Sequence, residues 1–518
     1  MSDLIAFHTR HDANLVVARE GRIVLILELE RLFNQRYFAY SLDPETFRQQ
    51  LETTLDTVEQ LTGTRSFDTC VLNWIPEVQQ PVLREVVEAR RFVETTHHRA
   101  HAAGAYHLSP FDECLIFSID GGGNDGWFNI FEGRRGRVRL LERLDLNLGT
   151  PYRFLGNFIA EIRSRKGWEF LRGLDIAGKL MGLAAYGNPD PRLHAAARRA
   201  LLNFRQPTDL RAFAEEVEIP FEIDVLQGQQ GRDLAHNVQA AVEEILEELF
   251  RQHHTLSESR NVCLTGGVAL NVIANSNLAR KFPEHNFYVP ANSNDCGIAF
   301  GTLLDLFPKL ESRECAWDGL PLLDPHYAPR LREEFDHRPA SPEDVVDALV
   351  QGQIVGLVQG RSEHGPRALG NRSFLALPGY PNIKDILNQK VKFREPYRPF
   401  APLVSTADVD TYFDLPALSP YMSFAGVVRE EHRQTLAGVT HADNTSRVQT
   451  LEQQDNPFVY QLLQIIKNRD IAPVLLNTSL NIRGRPIAAR LEDAAEILRD
   501  TELDWLYYEG ELFEKRTT

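Results

Sequence analysis

A strand-and-turn pattern that occurs twice constrains this chain more than any other feature. Residues 4–7 read as a buried strand, 8–14 as a polar turn, 15–18 as a second strand, and 23–29 as a third strand after a Glu-Gly turn. The order returns at 115–145 as LIFSID, GGGNDG, WFNIFEG and RVRLLERLD. Each copy sets an aspartate, Asp12 or Asp120, in the tight turn after its first strand. A unit used twice predicts two related α/β lobes whose polar turns, at strand ends, face a ligand. Asp120 is followed by Gly121, Gly122, Gly123 and Asn124. Without a Cβ, such glycines let backbone amides reach phosphate oxygens, although glycine runs also close ordinary turns.

At 518 residues the chain exceeds the size of one hydrophobic core, which predicts two or three domains. Between the two strand-and-turn units, 81–94 reads as an amphipathic helix, with Thr95 or Thr96 capping a second helix that reaches Tyr106 and stops at Ser109-Pro110. Residues 237–250 form a strong helical pattern, and the strand at 261–264 ends in Thr265-Gly266-Gly267. Weak periodicity over 311–339 sets the boundary, giving domains at 1–330 and 345–518. The second contains a helix at 342–349 and strands at 354–359, 473–476 and 505–508.

The formal net charge of −16 is spread along the chain, which argues for a small-molecule partner and against a broad nucleic-acid surface. The start has neither a basic n-region nor the uninterrupted apolar stretch of a secretory signal, and no stretch of about 18 apolar residues occurs, so neither a secretory signal nor a membrane span is expected. Five scattered cysteines without a Cys-x-x-Cys pair read as reduced thiols and point to the cytoplasm.

His97 and His101 are four apart in a helical segment, so both rings lie on one face at the spacing of two ligands for one divalent ion. Asp120 adds an oxygen ligand at a strand end. Asp295 follows another strand and turn and reads either as a further ligand or as a helix cap. In the distal domain Arg361, Arg367, Arg372, Lys392, Arg394 and Arg398 stand near Glu363, Asn371 and Glu395. They are interleaved with Gly, Pro and Phe, unlike a solvated charge run, and suit phosphate or carboxylate oxygens.

Several strings together resemble the NodU/CmcH family of O-carbamoyltransferases, related to threonylcarbamoyl transferases and to HypF. They are HDANLVV at 11–17, HHRAHAAGAYHLSPFDE at 97–113, SIDGGGNDG at 118–126, GKLMGLAAYG at 178–187 and TGGVALN at 265–271. GRSEHGPRALGNRSFLA at 360–376, KFREPYRPFAP at 392–402 and NTSLNIRGRPI at 477–487 continue the match in order. The resemblance implies an α/β architecture: a duplicated actin-like (ASKHA, threonylcarbamoyl-transferase-like) N-terminal domain and a smaller YrdC-like C-terminal domain. It implies that the latter converts carbamoyl phosphate and ATP to carbamoyl-adenylate and pyrophosphate. The former then passes carbamoyl to a hydroxyl of a small natural product, as in antibiotic biosynthesis.

By the same resemblance His97, His101, Asp120 and Asp295 are metal ligands, for Fe2+ or else Mn2+ or Zn2+. His11 with Asp12 aligns or deprotonates the acceptor, and Lys392 and Arg394 act on the donor. Gly121, Gly122, Gly123, Asn124, Lys179, Gly266 and Gly267 hold nucleotide, while Arg361, Arg367, Arg372, Lys392, Arg398, Asn477 and Ser479 hold carbamoyl phosphate. The family has glycine before its His-Asp pair, where this chain has Arg10; that substitution reshapes the acceptor pocket or binds an anionic acceptor. Two other enzyme readings compete: an ATP-dependent small-molecule kinase, and threonylcarbamoyl transfer to tRNA.

Overall fold

Side-chain alternation and turn chemistry produce the expected strand pattern in a computed structural model that describes residues 3–162, 173–311 and 319–516. The chain divides into two units, 1–33 with 37–315 and 34–36 with 316–518. Tyr327 and Leu331 are buried in the core of the second unit, so 319–330 belong with it, not with the first domain as the weak periodicity suggested.

The first unit holds two five-stranded sheets. One has the order β3-β2-β1-β4-β5, built from β1 (Leu4–His8), β2 (Asn14–Arg19), β3 (Arg22–Glu28), β4 (Ser66–Asn73) and β5 (Glu88–Thr95). The other has the order β10-β9-β6-β7-β8, from β6 (Glu113–Ile119), β7 (Phe128–Arg134), β8 (Arg137–Leu144), β9 (Asn261–Thr265) and β10 (Asn286–Tyr288). In both, three antiparallel strands form a meander and two further strands add in parallel beside the first. The topology is therefore the same twice.

A helix at Pro44–Thr62, absent from the sequence reading, links β3 to β4. Pro44 starts it, the Asp43 carboxylate accepts from the Thr46 amide, and Gly63 ends it at φ +70°. The helix expected over 81–94 is instead a short helix, Gln80–Val86, followed by β5. β5 is an edge strand, and its exposed charges, among them Glu88 and Arg91, mark an edge while imitating a polar helix face.

Two helices then exchange sheets. His97–Leu108 leaves β5 but packs Ala102, Ala103 and Tyr106 on Cys114, Ile116 and Phe131 of the second sheet. Ile298–Leu306 follows β10 but packs Ala299, Phe300 and Leu303 on Leu4, Ala6 and Val16 of the first. The two helices meet where glycines face each other: a Cβ on Gly104 would lie 3.4 Å from the Gly301 Cα.

The second unit is built on a ten-stranded sheet of order β11-β20-β19-β12-β13-β18-β14-β17-β16-β15. Its strands are β11 (Asp336–Pro339), β12 (Val355–Val358), β13 (Arg372–Ala376), β14 (Ala401–Ser405), β15 (Phe413–Asp414), β16 (Phe424–Val428), β17 (Thr445–Leu451), β18 (Val474–Ser479), β19 (Trp505–Tyr508) and β20 (Glu511–Glu514). Strand alternation sends Leu375, Leu403 and Leu475 to a face covered by the helices Pro342–Val350 and Pro457–Asn468. Phe374, Val404 and Leu476 go to the opposite face, beneath Leu491–Asp500. No helix among the described residues is long and apolar enough to cross a membrane.

Candidate metal centre and anion-binding cradle

The exchange of helices brings four side chains to the carboxyl ends of both sheets. His97 and His101 come from one helix, Asp120 from the turn after β6, and Asp295 from the approach to the other helix; their ligand atoms lie within 4.8 Å of one another, all buried. The two Nε2 atoms are 3.2 Å apart, and they stand 3.5 and 3.4 Å from Asp295 Oδ1. Asp120 Oδ2 is 3.6 Å from His101 Nε2. Four donors about 2.1 Å from a common tetrahedral ion stand about 3.4 Å apart. Burial drives the His97 pKa well below its ordinary value despite Asp295. Burial and then Asp295 push the Asp120 carboxyl upward. Two buried aspartates and two imidazoles form a donor set that accommodates a divalent cation.

Asp295 serves two groups with its two oxygens. Oδ1 faces His97 and His101, while Oδ2 is 3.5 Å from both His8 Nε2 and His11 Nε2. Burial opposes ionisation of Asp295, but His97 and His11 outweigh it and hold the carboxyl well below its usual range. His11 Nδ1 is anchored 3.2 Å from Asp12 Oδ2. Burial works against the His11 proton, yet Asp295 and Asp12 raise its pKa to about 9. His8 is a residue the sequence reading left in the turn; it ends β1 as Asp120 follows β6.

Neighbouring polar groups fix this arrangement. Buried Asn14 donates to the carbonyls of Asp12 and Asp295, each at 2.8 Å, and accepts from the Ala299 amide at 3.0 Å. The expected cap at Thr95 or Thr96 makes no side-chain bond to the helix; Asn124 and Asp125 cap it from the glycine turn instead, accepting from the amides of His97 and His98. Asn124 thus spends its oxygen on the helix. The amides of Gly121, Gly122 and Gly267 converge on Asp120, and Gly266 turns at φ +86° with its amide on the Ser293 carbonyl. Lys179 is buried and pairs with Asp175 at 2.7 Å.

A second polar centre lies in the second unit. A π-helical turn, Leu387–Lys392, ends in Phe393 at φ +49° and delivers Lys392 into the interior. Its Nζ donates to the Ser479 carbonyl at 2.6 Å, the Asn481 carbonyl at 2.9 Å and the Asn481 side chain. Ser479 Oγ stands 3.3 Å away. Burial first, then Arg394 and Arg398, depress the Lys392 pKa well below 10.5. Arg394 lies over Phe400, 4.2 Å from the ring centroid, with Nε on Asn388. Arg398 is 3.6 Å from Glu395.

Arg447, on β17, was absent from the sequence reading. After burial, the charges of Arg367, Arg394 and Arg398 depress it most, and its Nε has no hydrogen-bond partner among the described residues. Arg367, Arg394, Arg398 and Arg447 therefore form one cationic group, joined to Lys392 through Arg394 and Arg398. Its only sequence signal is a lone arginine in TSRVQTL, between buried neighbours.

Asn477 donates to Ala368 and Gln449 and keeps Oδ1 buried without a partner among the described residues. Two of the expected cations are used elsewhere. Arg372 donates to the carbonyls of Gln359, Gly360 and Asn371, and Arg361 donates to that of Gly319. Glu363 accepts from the amides of Leu369 and Asn371 and so shapes the loop before β13.

The sequence profile described as Carbamoyltransferase N-terminus matches residues 45–304, and Carbamoyltransferase C-terminus matches 346–515. Nodulation protein NolNO of Sinorhizobium fredii is 31% identical over 98% of this chain and 79% of its own length. The 3'-hydroxymethylcephem-O-carbamoyltransferase of Amycolatopsis lactamdurans is 29% identical over 78% of this chain and 77% of its own. Among solved structures, full-length HypF in its phosphate- and nucleotide-bound form covers 60% of this chain and 46% of its own, at 14% identity and a TM-score of 0.38. With both profiles matched in order and a relative above 30% identity aligned over 98% of this chain, the chain belongs to the carbamoyltransferase family and is an enzyme of carbamoyl transfer.

Proposed function

We propose that the protein is an O-carbamoyltransferase that works in two steps: it forms carbamoyl-adenylate from carbamoyl phosphate and ATP, then transfers carbamoyl to a hydroxyl of a small natural product. The convergence of His97, His101, Asp120 and Asp295 in the unit matched by the N-terminal profile carries this reading. The first unit takes the actin-like role, supported by its repeated sheet order, and the second takes the YrdC-like role.

In the second unit, the cationic group of Arg367, Lys392, Arg394, Arg398 and Arg447 suits the oxygens of carbamoyl phosphate and the ATP phosphates. Carbamoyl phosphate loses inorganic phosphate to water, and the carbamate oxygen then attacks the α-phosphorus of ATP, expelling pyrophosphate. Ser479 holds the Lys392 ammonium in place, and the unpartnered Asn477 Oδ1 suits the carbamoyl NH2.

In the first unit, Gly121, Gly122, Gly123, Gly266 and Gly267 give the nucleotide close access to the strand ends. His97, His101, Asp120 and Asp295 would hold a divalent ion, Fe2+ in this reading, which would polarise the carbamoyl carbonyl or neutralise the departing phosphate. The acceptor oxygen forms a bond to the carbamoyl carbon as the bond to AMP breaks. Once Asp295 is engaged by the ion its charge no longer holds a proton on His11, and His11, aimed by Asp12 through Nδ1, takes the hydroxyl proton at Nε2.

The test is a mass-resolved assay of iron(II)-loaded protein with ATP and isotopically labelled carbamoyl phosphate, with and without a library of hydroxylated compounds. Labelled carbamoyl-adenylate with pyrophosphate, and a library member gaining the carbamoyl mass with AMP release, are the expected products. ADP with a phosphorylated library member would replace this reading by a kinase.

A further inference from the structure

Arg10 sits beside the metal centre but makes no contact with its ligands. Its guanidinium carbon lies 3.8 Å from the centroid of the Trp74 ring, and Nε donates to the Trp74 carbonyl at 3.0 Å. Nη1 and Nη2 have no hydrogen-bond partner among the described residues. Trp74 adopts φ +48°, a conformation that a bulky side chain rarely takes and that clusters at ligand sites. Its indole meets the His97 ring edge to face at 5.6 Å, and a Cβ on Gly122 would lie 3.9 Å from it. Trp74 therefore bridges Arg10, a metal ligand and the glycine turn. The Asp295 charge acts on Arg10 as well.

Stacking and the Nε bond orient the guanidinium fork before any ligand arrives, so a two-point contact costs less conformational entropy. An unpartnered fork of this kind recognises a carboxylate or phosphate. Arg10 adjoins His11 in sequence, so an anion held on the fork stays within a small molecule's reach of the His11 proton acceptor.

We propose that Arg10, stacked on Trp74, is a specificity subsite of the first unit: the acceptor carries a carboxylate or phosphate besides the hydroxyl that receives carbamoyl. This rests on the O-carbamoyl-transfer reading. The AMP phosphate is the other anion that could sit here, and the test separates the two.

Full-length protein is titrated calorimetrically with ω-hydroxycarboxylates of three to eight carbons, with their primary amides, and in a separate arm with AMP. The acids are expected to bind about tenfold or more tighter than the matched amides. Arg10→Gly and Arg10→Gln lose that preference, Arg10→Lys keeps part of it, and AMP affinity is the same in all. Arg10→Gln preserves bulk should the glycine variant be unstable. Equal binding of acid and amide, or a preference that survives Arg10→Gly, overturns the proposal, as does a loss confined to AMP. Carbamoyl-adenylate formation without acceptor reports on the parent reading separately.

Discussion

Gly123 has no room for a methyl group. A Cβ there would lie 2.9 Å from His98 Cδ2 and 3.1 Å from both His97 Cδ2 and the Gly126 carbonyl. His98 cannot yield, because Nδ1 is 2.8 Å from Ser118 Oγ and Nε2 is 3.0 Å from the Gly126 carbonyl. Gly123→Ala is therefore expected to displace His97 and weaken divalent-metal binding about 10- to 100-fold, the range seen when groups that orient ligands are disturbed, with helix content unchanged. Metal titration beside circular dichroism checks it. Lys392 yields a pH prediction. Its pKa lies below the ordinary lysine value because burial, Arg394 and Arg398 disfavour its charge. An anion bound among these cations offsets that penalty and raises the pKa, so in mildly alkaline buffer carbamoyl phosphate should bind with uptake of up to one proton. Calorimetry in buffers of different ionisation heat reads the uptake, which Lys392→Met should abolish.

At the scale of elements, the metal centre depends on how closely two helices approach. A Cβ on Gly301 would stand 1.9 Å from the Ala100 carbonyl, one residue before His101. Gly301→Ala should force the helices apart, destabilise the protein by about 1–3 kcal/mol and reduce metal affinity together with melting temperature. Gly178→Ala is the contrasting case. It lies in the helix Ile176–Ala184 with nothing among the described residues within 4 Å of the added Cβ, so a gain of about 0.4–1 kcal/mol is expected in the same thermal melts. The sequence alone announces both histidine spacing and strand ends, since these follow from local periodicity. It misplaces β5 because an edge strand and an amphipathic helix share the same mixture of apolar and charged residues. The capping of His97 by Asn124 and Asp125 is also out of its reach, because the partners lie 27 residues further along the chain.

On the scale of the whole molecule, the two proposed steps separate by unit. His101→Ala should still form labelled carbamoyl-adenylate but leave acceptors unmodified, whereas Lys392→Ala should form none and transfer carbamoyl only when the adenylate is supplied. Loss of adenylate formation in both variants would mean that the steps are not divided this way. The sequence by itself determined the repeated strand order, the i,i+4 histidine pair, the aspartates at strand ends and the family, because each is written in contiguous residues. Only the tertiary structure decided which charges act together. It brought His8 and His11 to one carboxylate, that of Asp295, joined Arg447 to Arg394 and Arg398 from separate segments, and tied Arg372 to backbone carbonyls. Composition cannot separate an arginine that binds an anion from one that satisfies a buried turn; that difference arises from strand pairing and helix packing between residues far apart in the chain.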